Sequence, residues 1–158
     1  MWNKIKPYVV SIAIALAVGG LSALLTKNNM EMYGNIDKPP LSPPGWIFPI
    51  VWGILYVLMG IGAAQVYMNR LGKEEDARSA LFIYGLQLAV NFFWSIIFFN
   101  MQAFLFAFIW LIILWVLLIV MIIKFKRVNK IAAYIQIPYL LWVTFAGYLT
   151  LAVYILNR

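Results

Sequence analysis

Three sets of side chains in this sequence have the types and spacing to form a site. Tyr84, Gln87, Asn91, Trp94, Ser95 and Phe98 recur at intervals of three and four, so on a helix they share one face. Tyr139, Trp142, Ala146, Leu149 and Thr150 repeat the pattern, and Trp52, Tyr56, Met59 and Ala63 give a third stripe. The chemistry on offer is uncharged: aromatic walls for stacking, and amides and hydroxyls for hydrogen bonding. There is no cysteine and no histidine, which excludes thiolate nucleophiles, Cys-based metal sites, disulfides and the commonest general base and haem ligand. No metal site is expected. With no ionisable group but tyrosine in these stripes, acid–base hydrolysis has no candidate residues.

The elements that carry the stripes are membrane spans. Of 158 residues, 65% are hydrophobic and 11% charged, more apolar surface than a water-soluble domain of this size can hide. Five apolar segments, about 7–26, 46–68, 79–99, 103–123 and 131–156, are each long enough to cross a bilayer as a helix. The expected fold is an all-α membrane protein, a single domain over 1–158 built as a five-transmembrane-helix bundle. The basic start, Met1 to Lys6, lacks a convincing cleavage site before Lys27, so the first span reads as a retained helix rather than a signal peptide.

The formal charge of +7 reflects membrane orientation and not a nucleic-acid surface, because the basic residues flank the spans. Lys4, Lys6, Arg70, Lys73, Arg78, Lys124, Lys126, Arg127 and Lys130 lie on one side, against Lys27, Lys38 and Arg158 on the other. This asymmetry predicts a cytoplasmic N-terminus, with the 27–45 loop and the C-terminus outside, in a bacterial-type plasma membrane.

Polar groups in hydrocarbon are costly without partners, so Gln87 and Asn91 should face inward. There they either tie helices together or line a cavity, and both roles can coexist. Ala15, Gly19 and Ala23 on the first span, and Gly53, Gly60 and Ala64 on the second, would let backbones approach closely. The fourth span, with Phe104, Phe106, Phe108, Trp110 and Trp115, is bulky all round and is assigned to lipid or to a second subunit. Pro138 should kink the fifth span.

Five of the seven prolines fall in KPPLSPPGWIFPIVW, residues 38–52. Pro39, Pro40, Pro43 and Pro44 hold the chain extended, and Pro49 suits the first turn of the second span. The segment reads as a stiff strap delivering Trp46 and Trp52 at set depths, either roofing a cavity or serving as a turn.

KPPLSPPGWIFPIVWGILYVLMGIGA, YGLQLAVNFFWSIIFF and PYLLWVTFAGYL, in that order, resemble the TspO/MBR family of translocator and tryptophan-rich sensory proteins across all five spans. The resemblance implies a ligand pocket opening toward the 27–45 loop, which binds porphyrins such as protoporphyrin IX and isoquinoline or benzodiazepine-type drugs. Porphyrin enters as ligand and no cofactor is required. Motif by motif, the implied ligand-binding residues are Trp52, Tyr56, Gln87, Asn91, Trp94, Trp142, Ala146 and Leu149, with Tyr33 and Pro43 in a lid. A homodimer is implied, with its seam open between the first, third and fourth spans. Light-dependent porphyrin degradation would make Trp52 and Trp142 candidate redox partners. A small-molecule transporter and a purely structural membrane protein also stay open as readings of the chain. Thr150 stands where the family usually has Asn, which puts an amide contact and a sterol preference in doubt. A short sterol-type pattern is matched by Leu149, Tyr154 and Arg158, at a level chance often produces.

Overall fold

The computed structural model describes residues 1–158. Five long helices dominate: α1 (Trp2–Thr26), α3 (Ile47–Met68), α4 (Glu74–Ser95), α5 (Phe104–Val128) and α7 (Ile137–Asn157). Two single-turn helices, α2 (Glu31–Asn35) and α6 (Lys130–Tyr134), lie within the connections before α3 and α7. The five expected spans are present, each long and apolar enough to cross a membrane, and the protein is an integral, multi-pass membrane protein.

The expected ends are too short at the basic side. Helix α1 starts at Trp2 and takes Pro7 inside it; α4 starts at Glu74 and α5 continues to Val128. Charged residues extend these helices past the apolar runs, where hydropathy no longer marks them. Glu74, Glu75 and Asp76 occupy the first turn of α4, and Lys126 and Arg127 the last of α5, each complementing the local helix dipole.

The helices form a ring in which α1 packs on α3 and α4, α4 on α5, and α5 on α7. Helices α3 and α7 have few backbone contacts with each other, and α3 is joined to that part of the chain through α6. There the Gln136 side-chain amide donates to the Leu58 carbonyl (3.0 Å). The gap between α3 and α7 is therefore bridged at the basic end and splayed at the strap end.

Small residues account for the tightest contact. A Cβ on Gly60 would lie 2.6 Å from the Ile12 Cα, so α1 and α3 touch backbone to backbone there. Gly19 is filled by the Tyr56 ring, and Ala15 is fully buried. Gly53 has no neighbour within 4 Å of an added Cβ and so does not belong to that seam.

Two expectations are corrected. Helix α5 is not uniformly outward: Ala107, Leu111, Leu114, Leu118, Met121 and Phe125 form a buried stripe, at the three- and four-residue spacing that its all-apolar sequence conceals. Trp110 also turns its indole N–H onto the Val90 carbonyl (2.7 Å). At Pro138 the span is broken instead of kinked: α6 ends at Tyr134 and Pro138 sits at the start of α7, where its missing N–H leaves nothing unsatisfied.

Candidate functional site

The splayed end encloses a cavity of about 420 Å³ between α1, α3, the end of α4 and α7, covered by the 27–45 loop. Its walls come from four directions. Helix α3 contributes Phe48, Trp52 and Tyr56; α7 contributes Trp142, Phe145, Ala146 and Leu149. Trp94 and Ser95 end α4, and Phe98 and Phe99 follow from Ile96–Asn100, a π-helical turn. That wide turn breaks the helical register and presents two adjacent phenyl rings at the cavity, a local distortion often found at binding sites.

The lining is almost wholly apolar. Trp52 is 5.7 Å from the Tyr56 ring and 6.1 Å from the Tyr139 ring, while Trp94 stacks on Phe98 at 5.2 Å. The polar exceptions are few and on separate walls: Ser22, Thr26 and Lys27 on the α1 side, Ser95 opposite. The Trp94 indole N–H is buried with no hydrogen-bond partner.

Beneath the cavity lies a polar floor. The Tyr56 hydroxyl donates to the Asn91 side-chain oxygen (2.7 Å), and the Asn91 amide donates to the Tyr139 hydroxyl (2.6 Å). The Tyr139 hydroxyl in turn donates to the Gln87 side-chain oxygen (2.7 Å), and the Gln87 amide reaches the Met59 Sδ at 3.8 Å. Helices α3, α4 and α7 are thus joined by one connected chain in a low-dielectric interior, where such bonds are strong and leaving one unmade is costly. Of the two roles open to Gln87 and Asn91, the geometry selects tying helices. Neither lines the cavity; only Tyr56 belongs to both features.

The cover is anchored at several points. The Tyr33 ring meets Phe48 edge-on at 5.0 Å, and Phe48 meets Trp142 at 5.9 Å. The Tyr33 hydroxyl donates to the Pro43 carbonyl (2.8 Å), which is how Pro43 joins the site. Burial pushes the Tyr33 phenol above its ordinary value, so it remains protonated, and a donor, at neutral pH. Lys38 donates to the Tyr33 carbonyl (2.8 Å) and lies over its ring at 4.9 Å. From α7, Tyr148 donates to the Pro40 carbonyl (2.7 Å), and Asn157 exchanges two hydrogen bonds with the Asp37 backbone (2.8 and 3.0 Å). Asn29 and Asn100 link the other edge of the loop to the π turn (2.7 Å). Of the two readings of the strap, these contacts favour a roof. Trp46, in contrast, is 69% exposed and faces away from the cavity.

Tyr33, Trp52, Tyr56, Trp94, Trp142, Ala146 and Leu149 therefore surround one space, Pro43 braces its lid, and Gln87 and Asn91 lie below it. Thr150 is fully buried, its hydroxyl unpartnered, and outside the cavity. Leu149 is buried while Arg158 is exposed, so the short sterol-type pattern does not form one surface. Sequence reasoning missed the α1 wall, Phe48, Phe99 and Phe145. Ser22 and Thr26, four residues apart in an apolar helix, were the available signal for α1.

The sequence profile of the TspO/MBR family matches residues 11–156. The chain belongs to the TspO/MBR family. Its likeness to curated relatives runs nearly end to end. It is 34% identical to the tryptophan-rich protein TspO of Chlorobaculum tepidum, covering 99% of each chain. It is 34% identical to the protein CrtK of Rhodobacter capsulatus, over 95% of this chain and 90% of the relative. The translocator protein of Bos taurus is 32% identical, over 90% of this chain and 87% of its own. In this TspO/MBR chain the aromatic cavity, its proline strap and the polar floor form one continuous unit at the splayed end of the bundle.

Proposed function

We propose that this TspO/MBR chain is a membrane receptor that binds a flat, conjugated ligand of the porphyrin class, and drug-like aromatic molecules of similar breadth, in the covered cavity. The single observation that carries the reading is the cavity itself: about 420 Å³, walled on facing sides by Trp52, Trp94 and Trp142. That size falls within the range of small-molecule sites, and indole faces offer large, rigid stacking area at little entropic cost. Lys27 at the lining supplies a cation for a carboxylate substituent. The cavity holds no histidine, which favours metal-free porphyrin over axially ligated haem.

The test is titration of the detergent-solubilised protein with protoporphyrin IX, followed by tryptophan quenching. Trp52→Phe and Trp142→Phe should each weaken binding about three- to tenfold, the scale of one lost aromatic contact. Lys27→Gln should weaken protoporphyrin IX but not an uncharged drug-like ligand. Unchanged affinity in both Trp variants would remove the cavity as the site.

A second reading, light-dependent degradation of the bound porphyrin, is favoured by Trp52 and Trp142 lying on the same cavity, where either could donate an electron to an excited pigment. Illumination should then yield a distinct product that is lost in Trp52→Phe or Trp142→Phe. Equal bleaching in detergent alone would dismiss it.

A further inference from the structure

At the basic end of the bundle, α1, α3 and α4 leave a second hollow of about 690 Å³ that shares no lining residue with the first. Its character is different. Lys6 and Arg70 line it, and no aspartate or glutamate does. The Arg70 guanidinium is held in place by one hydrogen bond to the Tyr67 carbonyl (2.7 Å) and by lying 3.9 Å over the Tyr67 ring. A guanidinium has five N–H donors, so most remain free.

Deeper in the hollow sits Tyr84, which is only 8% exposed and whose hydroxyl has no hydrogen-bond partner. A buried phenol without a partner is rare because it forfeits its hydration for nothing. The hydroxyl is enclosed, so Tyr84 lines the hollow with its ring. Around it the lining turns apolar, with Ile14, Leu81 and the small side chains of Ala63 and Ala64. At 1.5 Å per residue, Ser11 lies about 7–8 Å deeper along α1 than Lys6, and Ile14 about 12 Å deeper.

We propose that this hollow seats one anionic phospholipid from the leaflet at the basic end. The order of groups with depth matches such a molecule. Lys6 and Arg70 meet the phosphate, Ser11 reaches an ester carbonyl below it, and an acyl chain runs along Ile14, Leu81 and the Tyr84 ring. A free anion would leave the apolar depth unfilled, and a zwitterionic lipid would place its own cation against two others. Basic hollows between membrane helices recognise anionic headgroups by this same charge complementarity.

Native mass spectrometry of the full chain, released from detergent micelles doped with dioleoylphosphatidylglycerol or dioleoylphosphatidylcholine, tests the assignment. One phosphatidylglycerol should stay bound per chain, with phosphatidylcholine retained at least about tenfold less. The double variant K6Q/R70Q should lose most of that retention. K126Q/K130Q, which removes two charges outside the hollow, should leave it intact. Lys6 is exposed, so K6Q alone preserves the fold and should show a smaller loss in the same direction.

Equal retention of both lipids would overturn the proposal. So would an equal loss in K126Q/K130Q, which would mean diffuse surface attraction. Displacement of the lipid by millimolar inorganic phosphate would make this an anion site, and cross-links between two copies through Ile14→Cys, with lipid excluded, would make it a self-association face. Either result ends the lipid assignment.

Discussion

Tyr139 has no exposed surface, and its hydroxyl accepts from Asn91 and donates to Gln87. Tyr139→Phe keeps the ring and deletes both bonds, stranding the Gln87 oxygen and an Asn91 N–H. Hydrogen bonds between membrane helices are worth about 0.6–2 kcal/mol each, so a loss of about 1–3 kcal/mol is expected, read as a lower midpoint for heat unfolding in detergent. Asn91→Leu should cost a similar amount, and combined with Tyr56→Phe the two should add to less than their sum, since they share one bond. Trp142→Phe acts on the cavity wall and should change ligand affinity with little effect on that midpoint. Affinity and stability are thereby separable within one layer of side chains.

The pairing of α1 with α3 depends on Gly60. Because an added Cβ there would meet the Ile12 backbone at 2.6 Å, Gly60→Ala must push the two helices apart, at a cost of about 1–3 kcal/mol. Gly85, on α4, has open space around it, and Gly85→Ala should instead raise the unfolding midpoint by up to about 1 kcal/mol equivalent through helix propensity. The same midpoint measurement distinguishes them by sign. The strap is held to α7 chiefly through Asn157, which exchanges hydrogen bonds with the backbone of Asp37 (2.8 and 3.0 Å). Asn157→Ala should therefore leave the bundle folded, speed amide exchange across residues 33–43 and raise the rate of ligand escape several-fold in stopped-flow displacement. An unchanged escape rate would mean that the strap does not gate the cavity.

Charge sets how the bundle sits in the membrane. Nine of twelve basic residues are on the side of the N-terminus, so reporter fusions at the two ends should read opposite compartments, with the C-terminus outside. The same asymmetry separates two environments in one small molecule, a mostly apolar aromatic cavity under the strap and a cationic hollow at the other end.

The number of spans and the inward stripes on α3, α4 and α7 were legible from residue spacing, because hydrocarbon penalises any polar group that faces outward and helical geometry forces the rest into register. The stripe on α5 was not, since an all-apolar segment carries no contrast between its faces. Nor were the π turn that turns Phe98 and Phe99 to the cavity, the break before Pro138, or the α1 wall. Each arises from how neighbouring helices pack, which is a non-local matter. The division of the aromatic and amide residues was likewise settled only in three dimensions. Spacing put Gln87 and Asn91 on the same face as Trp94, yet depth within the bundle makes the first two a floor and the third a wall. Composition dictates what kind of surface a helix must bury; only the meeting of helices decides whether that surface closes on a neighbour or on empty space.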